Sequence, residues 1–192
     1  GVDCEDTVQS LEHFTGLVEL HAGEVARFDQ ARETLVAGLQ RLHRLVEIEQ
    51  AFGVYQDAAA ESGRTGDWRP WADLFTEDAT YIEHMFGEFE GREAIYEWSQ
   101  GSMSQWPNSA FTSFPIEWYV IDEEKGWVIC HVWNRLEDPG DGSIHQEYNL
   151  TVLHYAGDGK WSFEEDSYNP EKFAVVFGAW MDRRRELQGE KG

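Results

Sequence analysis

The spacing of apolar residues changes part-way along the chain, from a helical period to the alternation of β-strands. Up to about residue 103, apolar residues recur every three or four positions, which predicts helices over residues 5–43, 45–62, 67–75 and 92–103. Gly16 and Gly23 are expected to break the first helix into two pieces, and Gly63 and Gly66 to end the second. Asp67 is the expected cap of the third helix. A short strand is predicted around residues 79–84, before the fourth helix.

Beyond residue 110 the chain is rich in Val, Ile, Thr and aromatic residues between polar turns. Strands are predicted over residues 114–121, 126–136, 144–155 and 160–168, and the Asp-Gly pairs between them are typical of antiparallel hairpins. Asn169 and Pro170 predict the start of a last helix, which runs to about Leu187. Helices followed by a meander of strands predict an α+β fold in which the helices cover one face of a curved antiparallel sheet.

This pattern predicts one main domain with additions at both ends. Residues 1–44 are expected to form a helical N-terminal extension that packs on the domain or on a partner subunit. Residues 45–187 form the α+β domain, and residues 188–192 a flexible tail.

Composition narrows the possible ligands. The formal net charge of −22 argues against binding to nucleic acid or to anionic membrane surfaces, and favours a neutral or apolar ligand. Nine Trp, eleven Phe and seven Tyr are many for this length and predict a cavity lined by aromatic rings. Cys4 and Cys130 follow no metal or redox spacing, and no apolar run approaches a membrane span, so a reducing, cytoplasmic location is expected.

The first candidate site lies at the end of the strand near residue 80. Strand alternation places Tyr81 and Glu83 on one face and His84 on the other. A carboxylate in apolar surroundings has its charged form disfavoured, so Glu83 could exchange protons near neutral pH. The alternative is an ordinary solvent-exposed glutamate at a strand end. His84 could serve as an acid–base partner or as a hydrogen-bonding residue at the rim.

Two later strands also carry candidates. His131, Trp133, Arg135 and Glu137 share one strand face, which could be a pocket wall or the outer face of a sheet that pairs with another subunit. Arg135 and Glu137, bridged by Asp166, could hold a water or could form a structural salt bridge. On the last strand Glu164, Asp166 and Tyr168 share a face, and Asp166 is the acid expected to point inward. The seven histidines show no paired metal spacing, so neither metal nor cofactor is expected.

Several stretches resemble the SnoaL-like branch of the nuclear-transport-factor-2-like superfamily over about residues 45–182. They are Phe75-Thr-Glu-Asp-Ala-Thr-Tyr-Ile-Glu-His, Gly91-Arg-Glu-Ala-Ile, Tyr148-Asn-Leu-Thr-Val-Leu, Gly157-Asp-Gly-Lys-Trp and Glu165-Asp-Ser-Tyr. The resemblance implies a cone-shaped sheet wrapped around a long helix, with an apolar pocket open at one end. It also implies a homodimer, because many members are dimers.

Two groups of family members suggest roles for individual residues. By resemblance to ketosteroid isomerases, Glu83 takes the place of the base, while Tyr55 lies about a turn from the position of the helix tyrosine. Resemblance to limonene epoxide hydrolases matches Tyr81, the Arg135-x-Glu137 pair and Asp166, and departs at Glu83 and Glu137, where the hydrolases have Asn and Asp.

These observations together predict a cofactor-independent enzyme that performs acid–base chemistry on a small hydrophobic substrate, as an isomerase, dehydratase or cyclase. The predicted catalytic residues are Glu83, His84, Asp166, Arg135 and His131. The predicted substrate-binding residues are Tyr55, Trp71, Tyr81, Trp133, Glu137 and Tyr168. The alternatives are a hydrolase similar to limonene epoxide hydrolase and a non-catalytic module for ligand binding or assembly.

Overall fold

The computed structural model describes the backbone of residues 4–189 and the side chains of residues 15, 21 and 24–189. The chain forms two compact units, Gly1–His43 and Arg44–Gly192. The helices are α1 (Cys4–Thr65), α2 (Arg69–Ala72), α3 (Arg92–Met103) and α4 (Pro170–Gly189). The strands are β1 (Phe75–Glu83), β2 (Gly87–Glu90), β3 (Phe111–Ser113), β4 (Ile116–Asp122), β5 (Trp127–Leu136), β6 (Gln146–Gly157) and β7 (Lys160–Ser167). The α+β class predicted from the sequence is confirmed.

Helix α1 is continuous, so the predicted breaks at Gly16 and Gly23 are wrong. An interior glycine costs about 1 kcal/mol relative to alanine, which weakens a helix without ending it. Gly63 also lies inside the helix, where a Cβ atom would come within 2.7 Å of the Phe114 ring. The helix ends before Gly66, whose φ of +76° lies in the left-handed region that glycine adopts without strain.

The sheet is mixed, whereas an antiparallel sheet was predicted. Its strands follow the order β2-β1-β7-β6-β5-β3, and β4 also pairs with β5. The hairpin-linked strands β5, β6 and β7 are antiparallel, as the Asp-Gly turns predict. Strand β1 pairs with β7 in parallel. The whole meander lies between β1 and β7 in the chain, so no tight turn forces these two strands to run in opposite directions.

The core of the second unit fixes which side chains of the sheet point inward. Buried residues alternate along β5 (Val128, Cys130, Val132) and β6 (Leu153, Tyr155). They pack with apolar residues of α1 and α3 and with those of α2 and its N-cap position: Ile48, Phe52, Ile95, Trp71 and Trp68. Because side chains alternate, the odd-numbered residues of β5 lie on the opposite face of the sheet.

Helix α4 packs beside the sheet through the fully buried Trp180, whose indole N–H donates to the Glu137 carbonyl at 2.8 Å. Asn169 caps the helix, since its Oδ1 accepts from the Glu171 N–H at 3.0 Å. The helix continues to Gly189, two residues beyond the predicted end. Of the predicted flexible tail, residues 188–189 are therefore helical, and residues 190–192 lie outside the described residues. Within the described part of the chain, no helix is both long and apolar enough to cross a membrane.

Candidate active site

A cavity of about 370 Å³ lies between the inner face of the sheet and the helices of the second unit. Its wall is mostly apolar and rich in aromatic rings, among them Tyr55, Trp68, Trp71, Tyr81, Trp98 and Phe114. Three carboxyl groups also line it, those of Glu83, Glu164 and Asp166. Among the described residues of this wall there is no Lys, Arg or His side chain.

Strand pairing brings the carboxyl groups together. Glu164 and Asp166 are two residues apart on β7 and therefore point to the same face. The parallel pairing of β1 with β7 sets Tyr81 beside Glu164 and Glu83 beside Asp166. On the other side of β7, Thr151 of β6 is the partner of Asp166. The neighbours of each acid are thus determined by the register of three strands.

Asp166 accepts hydrogen bonds from three side chains. The Thr151 hydroxyl and the Asn149 amide each donate to Oδ1 at 2.5 Å, and the Tyr81 hydroxyl donates to Oδ2 at 2.7 Å. Burial raises the pKa of Asp166 to about 6, against the lowering effect of the three donors, and the charge of Glu83 adds to the rise. Asp166 is therefore mostly ionised at pH 7 and can still take up a proton.

The Asn149 side chain is itself held in place. Its Oδ1 accepts from the Asn134 amide at 2.7 Å, and its Nδ2 also donates to the Thr151 hydroxyl at 2.8 Å. This chain of bonds crosses β5, β6 and β7 and ends at Asp166. It fixes the orientation of the carboxylate before any ligand binds.

Glu164 is 2% exposed and keeps one oxygen unpaired. The Tyr55 hydroxyl donates to Oε1 at 2.7 Å, while Oε2 has no hydrogen-bond partner among the described residues. Burial raises the pKa of Glu164 well above its usual value, and the charge of Asp166 raises it further. Burial therefore favours the protonated form of Glu164. A proton on Oε2 is a hydrogen-bond donor available to a ligand.

Both carboxylate oxygens of Glu83 accept hydrogen bonds from the protein itself. Its Oε2 accepts from the backbone N–H groups of Met85 and Phe86 at 2.8 Å each, and its Oε1 accepts from the Tyr168 hydroxyl. These bonds close the turn between β1 and β2 and hold Tyr168 at the cavity wall. The geometry therefore favours a structural and orienting role for Glu83.

Six predicted site residues line the cavity: Tyr55, Trp71, Tyr81, Glu83, Asp166 and Tyr168. His84 does not line it, because its ring turns outward and lies 2.8 Å from Glu165 on the exposed face. This is the orientation that strand alternation predicts for His84, so the suggested role as an acid–base partner inside the pocket is not supported by its position.

Four further residues predicted for the pocket lie on the opposite face of the sheet or beyond it. His131 stacks on Tyr148 at 4.3 Å between ring centres, and Trp133 packs edge-on against the same ring.

Arg135 donates to Gln146 at 2.8 Å, and Glu137 accepts from Arg184. The prediction that His131, Trp133, Arg135 and Glu137 form a pocket wall is therefore corrected, because the even-numbered side chains of β5 point inward. The proposed bridge from Arg135 and Glu137 to Asp166 does not form among the described contacts.

Sequence reasoning missed four polar residues of the site: Asn134, Asn149, Thr151 and Glu164. The alternation of side chains along a strand could have placed each of them on the inner face of the sheet. Glu164 shares its face with Asp166, Asn149 and Thr151 share theirs with buried Leu153, and Asn134 shares its face with Val132.

Comparison with known proteins identifies the family. The model of the SnoaL-like domain matches residues 55–163, which is more than half of the chain. The chain belongs to the SnoaL-like domain family. This confirms the resemblance found in the sequence. A search of curated protein sequences found no match for this SnoaL-like protein.

Solved structures share its fold at low sequence identity. A putative isomerase from Bacillus subtilis is 18% identical with a TM-score of 0.55, and the match covers 70% of this chain and 95% of the isomerase. An epoxide hydrolase from M. tuberculosis, similar to limonene epoxide hydrolase, is 12% identical with a TM-score of 0.55. The match covers 74% of this chain and 93% of the hydrolase. A protein from Catenulispora acidiphila with a ketosteroid isomerase-like fold is 18% identical with a TM-score of 0.52. The match covers 65% of this chain and 92% of the Catenulispora protein.

Proposed function

We propose that this SnoaL-like protein is a cofactor-independent enzyme that performs acid–base chemistry on a small hydrophobic molecule. Asp166 accepts a proton from the substrate and Glu164 donates one to it. The observation that carries the proposal is the pair of buried carboxyl groups on one face of β7, one held by three hydrogen-bond donors and the other with an oxygen that has no partner among the described residues. The donors favour the ionised form of Asp166, and burial raises the pKa of Glu164 and favours its protonated form. Two acids with different protonation states supply a base and an acid in one cavity.

The cavity favours an uncharged, largely apolar substrate that carries an oxygen acceptor. Its volume of about 370 Å³ lies within the usual range for small-molecule sites, and its wall is mostly apolar. An anionic substrate would meet the charge of Asp166 with no cation on the described wall to balance it. The unpaired Oε2 of Glu164 needs an acceptor, which a carbonyl, hydroxyl or ether oxygen supplies.

In an isomerisation or a dehydration, Asp166 would remove a proton from the carbon next to a carbonyl group. Glu164 would protonate the carbonyl oxygen to form an enol, or the departing hydroxyl group to release water. In the isomerisation, Asp166 would then return its proton to another carbon while the enol O–H returns its proton to Glu164, which restores the carbonyl group and both acids. The apolar wall excludes bulk water. It makes both proton transfers easier, because it keeps solvent from exchanging protons with the ionised Asp166 and the protonated Glu164.

Epoxide hydrolysis is the second candidate, and the polar cluster around Asp166 supports it. A water bound beside Asp166 could lose a proton to the carboxylate while its oxygen attacks the epoxide carbon. Glu164 would then protonate the oxygen of the opened ring. This mechanism uses the same two acids, so the choice between the two reaction types depends on the substrate.

Replacement of each acid by its amide tests the proposal. Asp166→Asn and Glu164→Gln would be assayed on a panel of cyclic ketones, hydroxyketones and epoxides, together with Glu165→Gln. Glu165 lies between the two acids on β7 but points away from the cavity toward His84, so it is a matched control. We expect kcat to fall by about 100-fold or more in each of the two cavity variants and to stay near wild type in the control.

Undiminished turnover of an accepted substrate by Asp166→Asn would refute the assignment of the base. If the wild-type protein turns over no member of the panel yet binds several of them, the non-catalytic binding module becomes the better interpretation.

A further inference from the structure

Residues 24–43 of α1 carry a row of large apolar side chains that nothing in the first unit covers. Every side chain of this segment is exposed. The row, here called the apolar stripe, consists of Val25, Phe28, Leu35, Leu39 and Leu42, which are between 56% and 77% exposed. Hydrophobic residues in a surface helix normally face a core, so this stripe requires a partner.

The spacing of the stripe is that of a coiled coil. The spacing along the stripe alternates between three and four residues, through positions 25, 28, 32, 35, 39 and 42. Arg32 is the one polar residue in this series. In the sequence the same steps lead back through His21 to Val18, Phe14 and Leu11. A repeat of seven residues has an average period of 3.5, which keeps the apolar row in contact with a second helix when the two helices supercoil.

This segment also lacks internal support for its helical conformation. None of its side chains is buried, so packing within the chain contributes little to its stability. Thr34, Val36 and Gly38 have low helix propensity. Most helical stability in proteins comes from packing of an apolar face rather than from intrinsic propensity.

Charge indicates what the partner is. The whole chain carries a net charge of −22, but residues 24–43 contain three acidic residues and three arginines. Two copies of this segment can therefore meet without net repulsion, whereas the remaining surface of each copy is strongly acidic. A balanced segment has no excess of basic residues to attract an anionic membrane surface.

We propose that the apolar stripe is a coiled-coil interface between two copies of this chain. The stripe is complementary to itself, because the steps of three and four let the side chains of one helix fit between those of the other. A 20-residue segment is about 30 Å long, enough for nearly three heptads of contact. Self-association through α1 would hold two SnoaL-like domains together independently of the catalytic cavity.

The test is a comparison of two double variants of the full-length protein by sedimentation velocity and circular dichroism. Leu35→Glu/Leu39→Glu places two charges in the stripe. Ala37→Glu/Gln40→Glu adds the same two charges to the same helix outside the stripe and serves as the matched control. All nine tryptophans lie between residues 68 and 180, so their fluorescence reports the folding of the second unit in each variant.

The wild type and the control are expected to sediment with a mass of at least twice 22.1 kDa. The stripe variant is expected to have half the mass of the wild type and a weaker ellipticity per residue at 222 nm, with unchanged tryptophan emission. A wild-type protein that sediments at 22.1 kDa at micromolar concentration would overturn the proposal. So would a stripe variant with the mass of the wild type, since the stripe would then be covered by its own chain or by nothing.

Discussion

Glu164 and Asp166 project from one face of β7 into the same cavity, and the charge of Asp166 helps to keep Glu164 protonated. The two acids differ in their hydrogen bonds: Asp166 accepts from three side chains, while Glu164 accepts from Tyr55 alone and keeps one oxygen free. Five expected outcomes follow from this arrangement and from the packing around it.

The pH dependence of catalysis should report the ionisation of Asp166. Burial raises its pKa to about 6, and a base acts only when it is deprotonated. On the acidic side of the pH profile, activity should therefore fall about tenfold for each pH unit below about 6. The measurement is kcat/KM between pH 4.5 and 8.5 on any accepted substrate. A flat profile between pH 5 and 7 would rule out Asp166 as the base.

Loss of the Tyr81 hydroxyl should shift this profile upward. Its hydrogen bond to Oδ2 stabilises the charged form of Asp166 and lowers the pKa of that carboxyl group. In Tyr81→Phe the acidic limb of the profile should therefore move to higher pH. Tyr148→Phe is the control, because Tyr148 stacks on His131 outside the cavity. A shift of the same size in both variants would contradict the assigned contact.

Glu164→Gln should stabilise the protein at neutral pH while it slows the reaction. Because the folded-state pKa of Glu164 is raised, folding above the unfolded-state pKa is coupled to proton uptake, and each unit of that rise costs about 1.4 kcal/mol. Glutamine is neutral in the folded and the unfolded state, and its side-chain oxygen can still accept the hydrogen bond from the Tyr55 hydroxyl. The variant should gain about 1 kcal/mol or more in unfolding free energy at pH 8.

The size of this effect depends on pH. Below the unfolded-state pKa, about 4.3, Glu164 is protonated in both states, and the advantage of the glutamine should disappear. Urea denaturation of wild type and Glu164→Gln at pH 8 and pH 4 provides the measurement. An advantage of equal size at both pH values would show that proton uptake is not its cause.

Removal of the Glu83 carboxylate should destabilise the fold. In Glu83→Ala the Met85 N–H and the partly buried Tyr168 hydroxyl lose their acceptor, whereas the Phe86 N–H keeps the Glu83 carbonyl oxygen at 3.1 Å. We expect a loss of about 1–2 kcal/mol in a denaturant titration. His84→Ala, the exposed neighbour, should change stability by less than about 0.5 kcal/mol. Equal effects at the two positions would argue against the role of Glu83 in the turn.

Two glycines of α1 should respond to alanine in opposite directions. A Cβ atom at Gly53 would have no neighbour within 4 Å, so Gly53→Ala should gain about 0.5–1 kcal/mol of stability from helix propensity. At Gly63 the Cβ atom would lie 2.7 Å from the Phe114 ring and 3.0 Å from the Thr112 carbonyl oxygen. Overpacking of this kind costs about 1–3 kcal/mol. Thermal unfolding distinguishes the two, and a gain at Gly63 would disprove the close contact.

Much of the fold could be predicted because it depends on local rules. Asn169 and Pro170 begin α4, the Asp-Gly turns direct the strands into hairpins, and α3 has the predicted bounds. Alternation within single strands was also reliable: Tyr81 and Glu83 share one face, and His84 lies on the other. The family, too, was evident in the sequence, since its motifs lie in these same strands and turns.

Local rules say which residues share a face but not which face points inward. On β5 the titratable residues His131 and Arg135 were assigned to the cavity, yet Val132 and Asn134 line it. The outcome depends on how the whole strand packs, because one face must cover the core helices and only the more apolar set can do so at low cost.

The sequence by itself determined the long strands β4 to β7, the helices α3 and α4, the alternation within strands and the family of this protein, because each follows from short-range spacing. Only the tertiary structure decided the site. Tyr55 meets Glu164 across 109 residues, and Tyr81 meets Asp166 across 85. These contacts require the parallel pairing of β1 with β7 and the packing of α1 on the sheet, and the pKa values of the two acids follow from the burial that results.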